Sequence, residues 1–214
     1  MKDYKQLFLE IANSTDYKSN KLTGASWRYY VDETDRRVYV QFQETKTWQD
    51  WIFNFIIIPV KLRPCKAEGD TYIKVPLGNY LQFKSVYKEI LETVSPYIKG
   101  GYTLYITGWS QGGVTAGELA YVASCRGVPC ECIMYGTPKF LKNDKSVRNF
   151  HEHVSHINFL YPDDPIREVV PGYERPPLTQ SEGFVPDFPP ETLDDKHRIY
   201  GHADYTDYAG RRGF

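Results

Sequence analysis

Apolar and polar positions alternate along this 214-residue chain in two rhythms, one helical and one extended. Near the N-terminus, in MKDYKQLFLEIANSTDY, Leu7, Phe8 and Ile11 share a helical face, while Asp, Glu and Lys break any apolar run. In SWRYYVDETDRRVYVQF (26–42), Val38, Val40 and Phe42 alternate with Tyr39 and Gln41, which predicts two strands around a polar turn. The helical period returns over about 80–98, where Phe83, Val86, Tyr87, Ile90, Leu91, Val94 and Ile98 recur at three- and four-residue spacing. Gly100-Gly101 ends that helix. YTLYIT (102–107) is short, rich in β-formers and uncharged, as a strand covered on both faces should be. A second helix is predicted over about 111–125. CECIMYG (130–136) and SHINFLY (155–161) read as two more buried strands, with FLKNDKSVRNFHEHV between them as a loop or short helix. Strands alternating with helices imply parallel pairing through right-handed crossovers, and the opening hairpin adds an antiparallel edge. The expected fold is a three-layer α/β sandwich, formed by a single domain over residues 1–214.

Composition narrows the class. Apolar residues make up 41% and charged residues 25%, as in ordinary globular proteins. A net charge of −1 supplies no field that would favour nucleic acid. The most apolar stretch, WIFNFIIIPV, is too short to span a bilayer, so no transmembrane segment is expected. The N-terminal segment is no secretory leader, which favours a cytoplasmic location. The 18 tyrosines suit amphipathic surfaces and binding clefts. Cys65, Cys125, Cys130 and Cys132 are expected as free thiols, because a chain of this length needs no disulfide framework. His151, His153 and His156 form H-x-H-x-x-H, which fits no standard ligand set, and a solvated loop is expected there. Neither metal nor cofactor is implied.

The candidate chemistry centres on Gly108-Trp109-Ser110-Gln111-Gly112, a G-x-S-x-G pentapeptide between a predicted buried strand and a predicted helix. Such a turn is too tight for side chains at its flanks, hence Gly108 and Gly112. Gly113, Ala116, Gly117 and Ala120 then let the helix lie close against the sheet. Ser110 is thus the candidate nucleophile, with the Gln111 N–H at the helix start as an oxyanion donor. A serine hydroxyl needs a base, and the base needs an orienting acid. After SHINFLY the chain runs into Asp163-Asp164-Pro165, on the same rim as Ser110. Asp164 is the candidate acid, with Asp163 second. The candidate base is His202, in GHADY, ahead of His197 among charges in DDKHR.

Taken together, these blocks resemble the fungal-type class 3 lipases, a family of α/β-hydrolases. VYVQFQETKTWQDWIFNF is similar to that family's strand, F-R-G-[ST] turn and following D-W segment. VPLGNY is similar to V-H-x-G-F, and YITGWSQGGVTAGELA to the family's elbow and helix. MYGTPKF is similar to F-G-x-P-R, YPDDPIREVVP to the acid loop, and GHADY loosely to the His loop. The resemblance runs over roughly 26–208 and implies an α/β-hydrolase-like fold. It matches Ser110 to the nucleophile, Asp164 to the acid, His202 to the base and Thr45 to an oxyanion-hole residue beside the Gln111 N–H. Residues after Asp50-Trp51 match the lid region, where WIFNFIIIPV would present an apolar face to acyl chains or serve as a core element. Glu44 stands where the family has Gly, and Gln43 where it has Arg. The implied activity is carboxylic ester hydrolysis on acyl lipids or related esters, with transient contact to a lipid surface. Two alternatives stay open: a lipase-like binding or structural module, and an acyltransferase or thioesterase using the same triad.

Overall fold

The computed structural model describes residues 4–43, 56–64, 71–160 and 170–176. Its first element is helix α1 (Tyr4–Asn13). Three strands follow: β1 (Lys18–Ser19), β2 (Ser26–Asp32) and β3 (Arg37–Phe42). Next come β4 (Pro59–Leu62), β5 (Ile73–Pro76) and helix α2 (Leu77–Lys99). The second half alternates: β6 (Thr103–Trp109), α3 (Gln111–Cys125), β7 (Cys130–Tyr135), α4 (Asp144–His153) and β8 (Ser155–Phe159).

Six strands form one sheet in the order β1-β2-β3-β6-β7-β8. β3, β6, β7 and β8 pair in parallel, while β1 and β2 add an antiparallel edge. The alternation along the strands sorts two cores. Val38, Val40, Phe42, Leu104, Ile106, Cys132 and Met134 point to the face that packs with buried residues of α2, α3 and α4. Tyr39, Tyr105, Trp109, Ile133, Tyr135 and Phe159 point to the other face, where Tyr4, Leu7, Phe8 and Ile11 of α1 cover them. The Tyr135 hydroxyl donates to the Tyr4 carbonyl at 2.6 Å and anchors α1 there. This is the expected three-layer α/β arrangement, with a mostly parallel sheet and an antiparallel N-terminal edge.

Several elements depart from the sequence expectation. β6 runs two residues past Thr107, through Gly108 and Trp109, and delivers the chain directly to Ser110. β4 and β5 form a separate two-stranded antiparallel sheet. FLKNDKSVRNFHEHV holds a full helix, α4, started by Asn143, whose side-chain oxygen accepts from the Ser146 N–H at 3.0 Å. The Ser146 hydroxyl also accepts from the Lys74 N–H at 2.8 Å, tying α4 to β5. The histidines are therefore not in a solvated loop. His151 and His153 lie exposed on α4, whereas His156 is buried in β8 and its Nδ1 donates to the Val154 carbonyl at 2.9 Å. Cys125, Cys130 and Cys132 are free thiols, and Cys65 lies outside the described residues. Within WIFNFIIIPV, Ile57 and Ile58 are exposed rather than core. The carbonyls of Ile56 and Ile58 accept from Gly78 and Leu77 and satisfy two N–H groups at the start of α2. No helix among the described residues is long and apolar enough to cross a membrane.

Candidate active site

The site is built on the turn from β6 into α3. Ser110 has φ 55° and ψ −124°, a left-handed conformation outside the range that L-residues prefer. It is held there by backbone on both sides. Its N–H donates to the Tyr135 carbonyl at 2.8 Å, carrying the β6–β7 ladder one residue beyond the strand. Its carbonyl accepts from the Gly113 N–H at 2.9 Å and opens the helix. The side chain takes no part in capping α3, so the Ser110 hydroxyl is not spent on the helix end.

The glycines of the turn are required by space. A Cβ on Gly108 would sit 2.2 Å from the Gly112 carbonyl oxygen. One on Gly112 would sit 2.4 Å from the Gln43 carbonyl oxygen and 2.7 Å from that of Phe42. The second contact also places the end of β3. Phe42 pairs with Gly108, and Gln43 lies directly against the first turn of α3. Gln43 thus lies beside the turn that carries Ser110. At the other side of β6, Trp109 pairs with Tyr135 and Tyr135 with Phe159, so β8 ends on the same rim. Thr45, Asp163, Asp164, His197 and His202 lie outside the described residues.

Gln111 is the first residue of α3, and the first N–H groups of a helix have no intrahelical acceptor. With the helix dipole behind it, such an N–H favours developing negative charge at Ser110. The Gln111 side chain is buried and donates through Nε2 to Gln82 Oε1 on α2 at 2.7 Å. The sequence pattern does not single out Gln82. It lies next to Phe83 in a helix read from its apolar row, and its partner is 29 positions away. The one available signal is a polar residue bordering that apolar face. Further along α3, Glu118 is fully buried and its carboxylate oxygens have no hydrogen-bond partner among the described residues. Burial pushes the Glu118 carboxyl well above the usual carboxylate range.

A strained serine between a buried strand and a close-packed helix is the local geometry of an acyl-transfer nucleophile. The family model for lipase (class 3) matches residues 39–173, well over half of the chain. The chain belongs to the class 3 lipase family. The family match begins in β3 and ends at Tyr173, shorter at both ends than the 26–208 suggested by the motifs. It includes Thr45, Ser110, Gln111 and Asp164 and stops before His202.

Solved lipases share the fold of this class 3 family member. The triacylglyceride lipase of Rhizomucor miehei superposes with a TM-score of 0.62 at 18% identity, over 73% of this chain and 60% of that one. The mono- and diacylglycerol lipase of Aspergillus oryzae gives 0.59 at 19% identity, over 72% and 56%. A triacylglycerol lipase whose catalytic centre is formed by a serine protease triad gives 0.59 at 18%, over 73% and 60%. The chain spans less than two thirds of the length of each of these structures. Among curated proteins, none matches its sequence.

Proposed function

We propose that the chain is a serine carboxylic-ester hydrolase acting on acyl lipids or related esters. The observation that carries this reading is the backbone of Ser110, which presents a serine in a strained conformation at the mouth of β6 with a helix N-terminus behind it. Membership of the class 3 lipase family supports it. In this reading the Ser110 oxygen attacks the ester carbonyl while His202 accepts its proton. Asp164 orients the imidazole and stabilises its charged form. Thr45 and the Gln111 N–H hold the oxyanion of the tetrahedral intermediate. The intermediate collapses, the C–O bond to the alcohol breaks, and His202 returns the proton to the leaving alkoxide. Water, deprotonated by His202, then releases the acyl group as a carboxylic acid and regenerates Ser110. The approach of the Gln43 carbonyl to the first turn of α3 supports Thr45, because it brings the chain within two residues of Thr45 to the turn that carries Ser110.

The test uses short p-nitrophenyl esters. Ser110→Ala is expected to lower kcat at least about a thousandfold, since the oxyanion donors and binding alone remain. Equal rates in the wild type and Ser110→Ala would sink the reading. A second reading, a lipase-like binding module, is favoured by Glu44 in the sequence beside Thr45, because a carboxylate aimed at a forming oxyanion would raise the barrier. A fluorophosphonate probe separates the two. Labelling at Ser110 means an activated serine, and its absence over a wide pH range favours the binding module. Adding an acceptor alcohol and analysing products tells hydrolysis from acyl transfer.

A further inference from the structure

We propose that Gln82 is a positioning residue for the reaction at Ser110, acting through its hydrogen bond to the side chain of Gln111. The inference rests on the ester-hydrolase reading above. The Gln111 side chain leaves the same Cα that carries the donor N–H. Pinning its far end therefore restricts how the first peptide of α3 tilts toward the oxyanion position, and donors of this kind act only within a few tenths of an ångström of the right place.

The pin is a fixed one. Gln82 Oε1 accepts from Gln111 Nε2 at 2.7 Å, and Gln82 Nε2 donates to the Thr23 carbonyl at 3.2 Å. Both glutamines are buried. The Thr23 end is itself braced. The Ser85 hydroxyl donates to the Gln82 carbonyl at 2.7 Å, so Thr23 Oγ1 donates to Ser85 Oγ, also at 2.7 Å. Asn20 Oδ1 accepts from the N–H groups of Leu22 and Thr23 at 3.0 and 3.1 Å. A continuous polar chain thus runs from the turn before β2, across α2, to the residue after Ser110. On its other side the start of α3 rests on the Gln43 carbonyl, with no room for a Cβ at Gly112. The donor peptide is wedged between backbone and the Gln82 amide. In a buried pair of this kind, losing one partner strands the other amide, whereas replacing both by apolar groups strands neither amide, although the Thr23 carbonyl then loses its Gln82 donor.

The experiment compares wild type, Ser110→Ala, Gln82→Leu, Gln111→Leu and the double variant Gln82→Leu/Gln111→Leu. Each is assayed on a p-nitrophenyl ester well below its unfolding temperature. Each single leucine variant is expected to lower kcat about tenfold with KM within about twofold. The double variant should recover most of that loss, because an apolar pair restores a defined contact. A purely structural tie between α2 and α3 would lower the unfolding temperature and leave kcat unmoved. Wild-type kcat in either single variant, a rise in KM alone, or a double variant slowed by the product of the singles overturns the proposal. If Gln82→Leu does not fold, Gln111→Leu decides by the same criteria, since it leaves the Gln82–Thr23 bond in place. Activity that survives Ser110→Ala overturns the ester-hydrolase reading and this inference with it. Activity that needs Ser110 but ignores the Gln82–Gln111 bond overturns this inference alone.

Discussion

Ser110 illustrates how a single residue stores the cost of a site. At φ 55° it occupies a region that only glycine visits freely, and the neighbours that hold it there leave no alternative path. Its N–H and carbonyl are both committed, and Gly108 and Gly112 are closed in by backbone oxygens. Alanine at 110 keeps the strain and removes the hydroxyl, whereas glycine removes both. Ser110→Gly should therefore be more stable than Ser110→Ala by about 1 kcal/mol, less whatever glycine gains in the unfolded chain. Urea unfolding of the two variants measures the difference, and a Ser110→Ala protein at least as stable would show that the turn is not strained. This residue was legible in the sequence because tight turns compel glycine, and glycines at 108, 112 and 113 print the turn directly. Gln82 was not, because a glutamine on a helix carries no mark of what it meets 29 positions away.

Helix α3 lies close against its surroundings, and small residues are the reason. A Cβ on Gly113 would sit 2.0 Å from Thr137 Oγ1, and one on Gly117 would sit 3.0 Å from Phe140. Gly113→Ala should cost about 2 kcal/mol, the clash outweighing the better helix propensity of alanine. The nearest obstacle is a hydroxyl with no partner among the described residues, so Thr137→Ala strands nothing. Combining Gly113→Ala with Thr137→Ala should return at least about 1 kcal/mol of the loss, which a double-mutant cycle in urea would read. Strict additivity would mean that the helix shifts instead of meeting Thr137. Helix α2 was legible from its apolar period, and α3, buried on nearly every side, from its place after the G-x-S-x-G turn. Helix α4 was not. Only Val147 and Phe150 are apolar in Asp144–His153, a short row for a helix, and the Asn143 cap and Ser146 hydrogen bonds do much of the placing. The β4–β5 pair was not legible for a related reason: strands of four residues alternate too briefly to register.

At the scale of the whole molecule, the parallel strands bring Phe42, Trp109 and Phe159, far apart in sequence, to one rim in three separate passes of the chain. Chain order was legible and strand ends less so, since β6 continues past Thr107 to Trp109; what buries each position was not, and Glu118 is the clearest case. It sits two turns along α3 from Gln111, fully buried, with its carboxyl held well above the usual range by desolvation. In the folded protein it is therefore protonated at pH values where the unfolded chain has already released that proton. Between the ordinary carboxylate value of roughly 4.3 and the raised folded value, the native state binds one more proton than the unfolded state. Stability contributed by the neutral form is complete below that window. It falls by up to about 1.4 kcal/mol for each pH unit climbed through it. Glu118→Gln removes the titration while keeping the shape, so the wild-type curve of unfolding free energy against pH should fall more steeply than that of the variant above pH ~4.3. Glu118→Met, which leaves no buried polar atom, should gain at least about 1 kcal/mol over wild type near neutral pH. Parallel curves for wild type and Glu118→Gln across the acidic and neutral range would mean that the carboxyl reaches water, and the helix carrying Ser110 would then bear no buried proton.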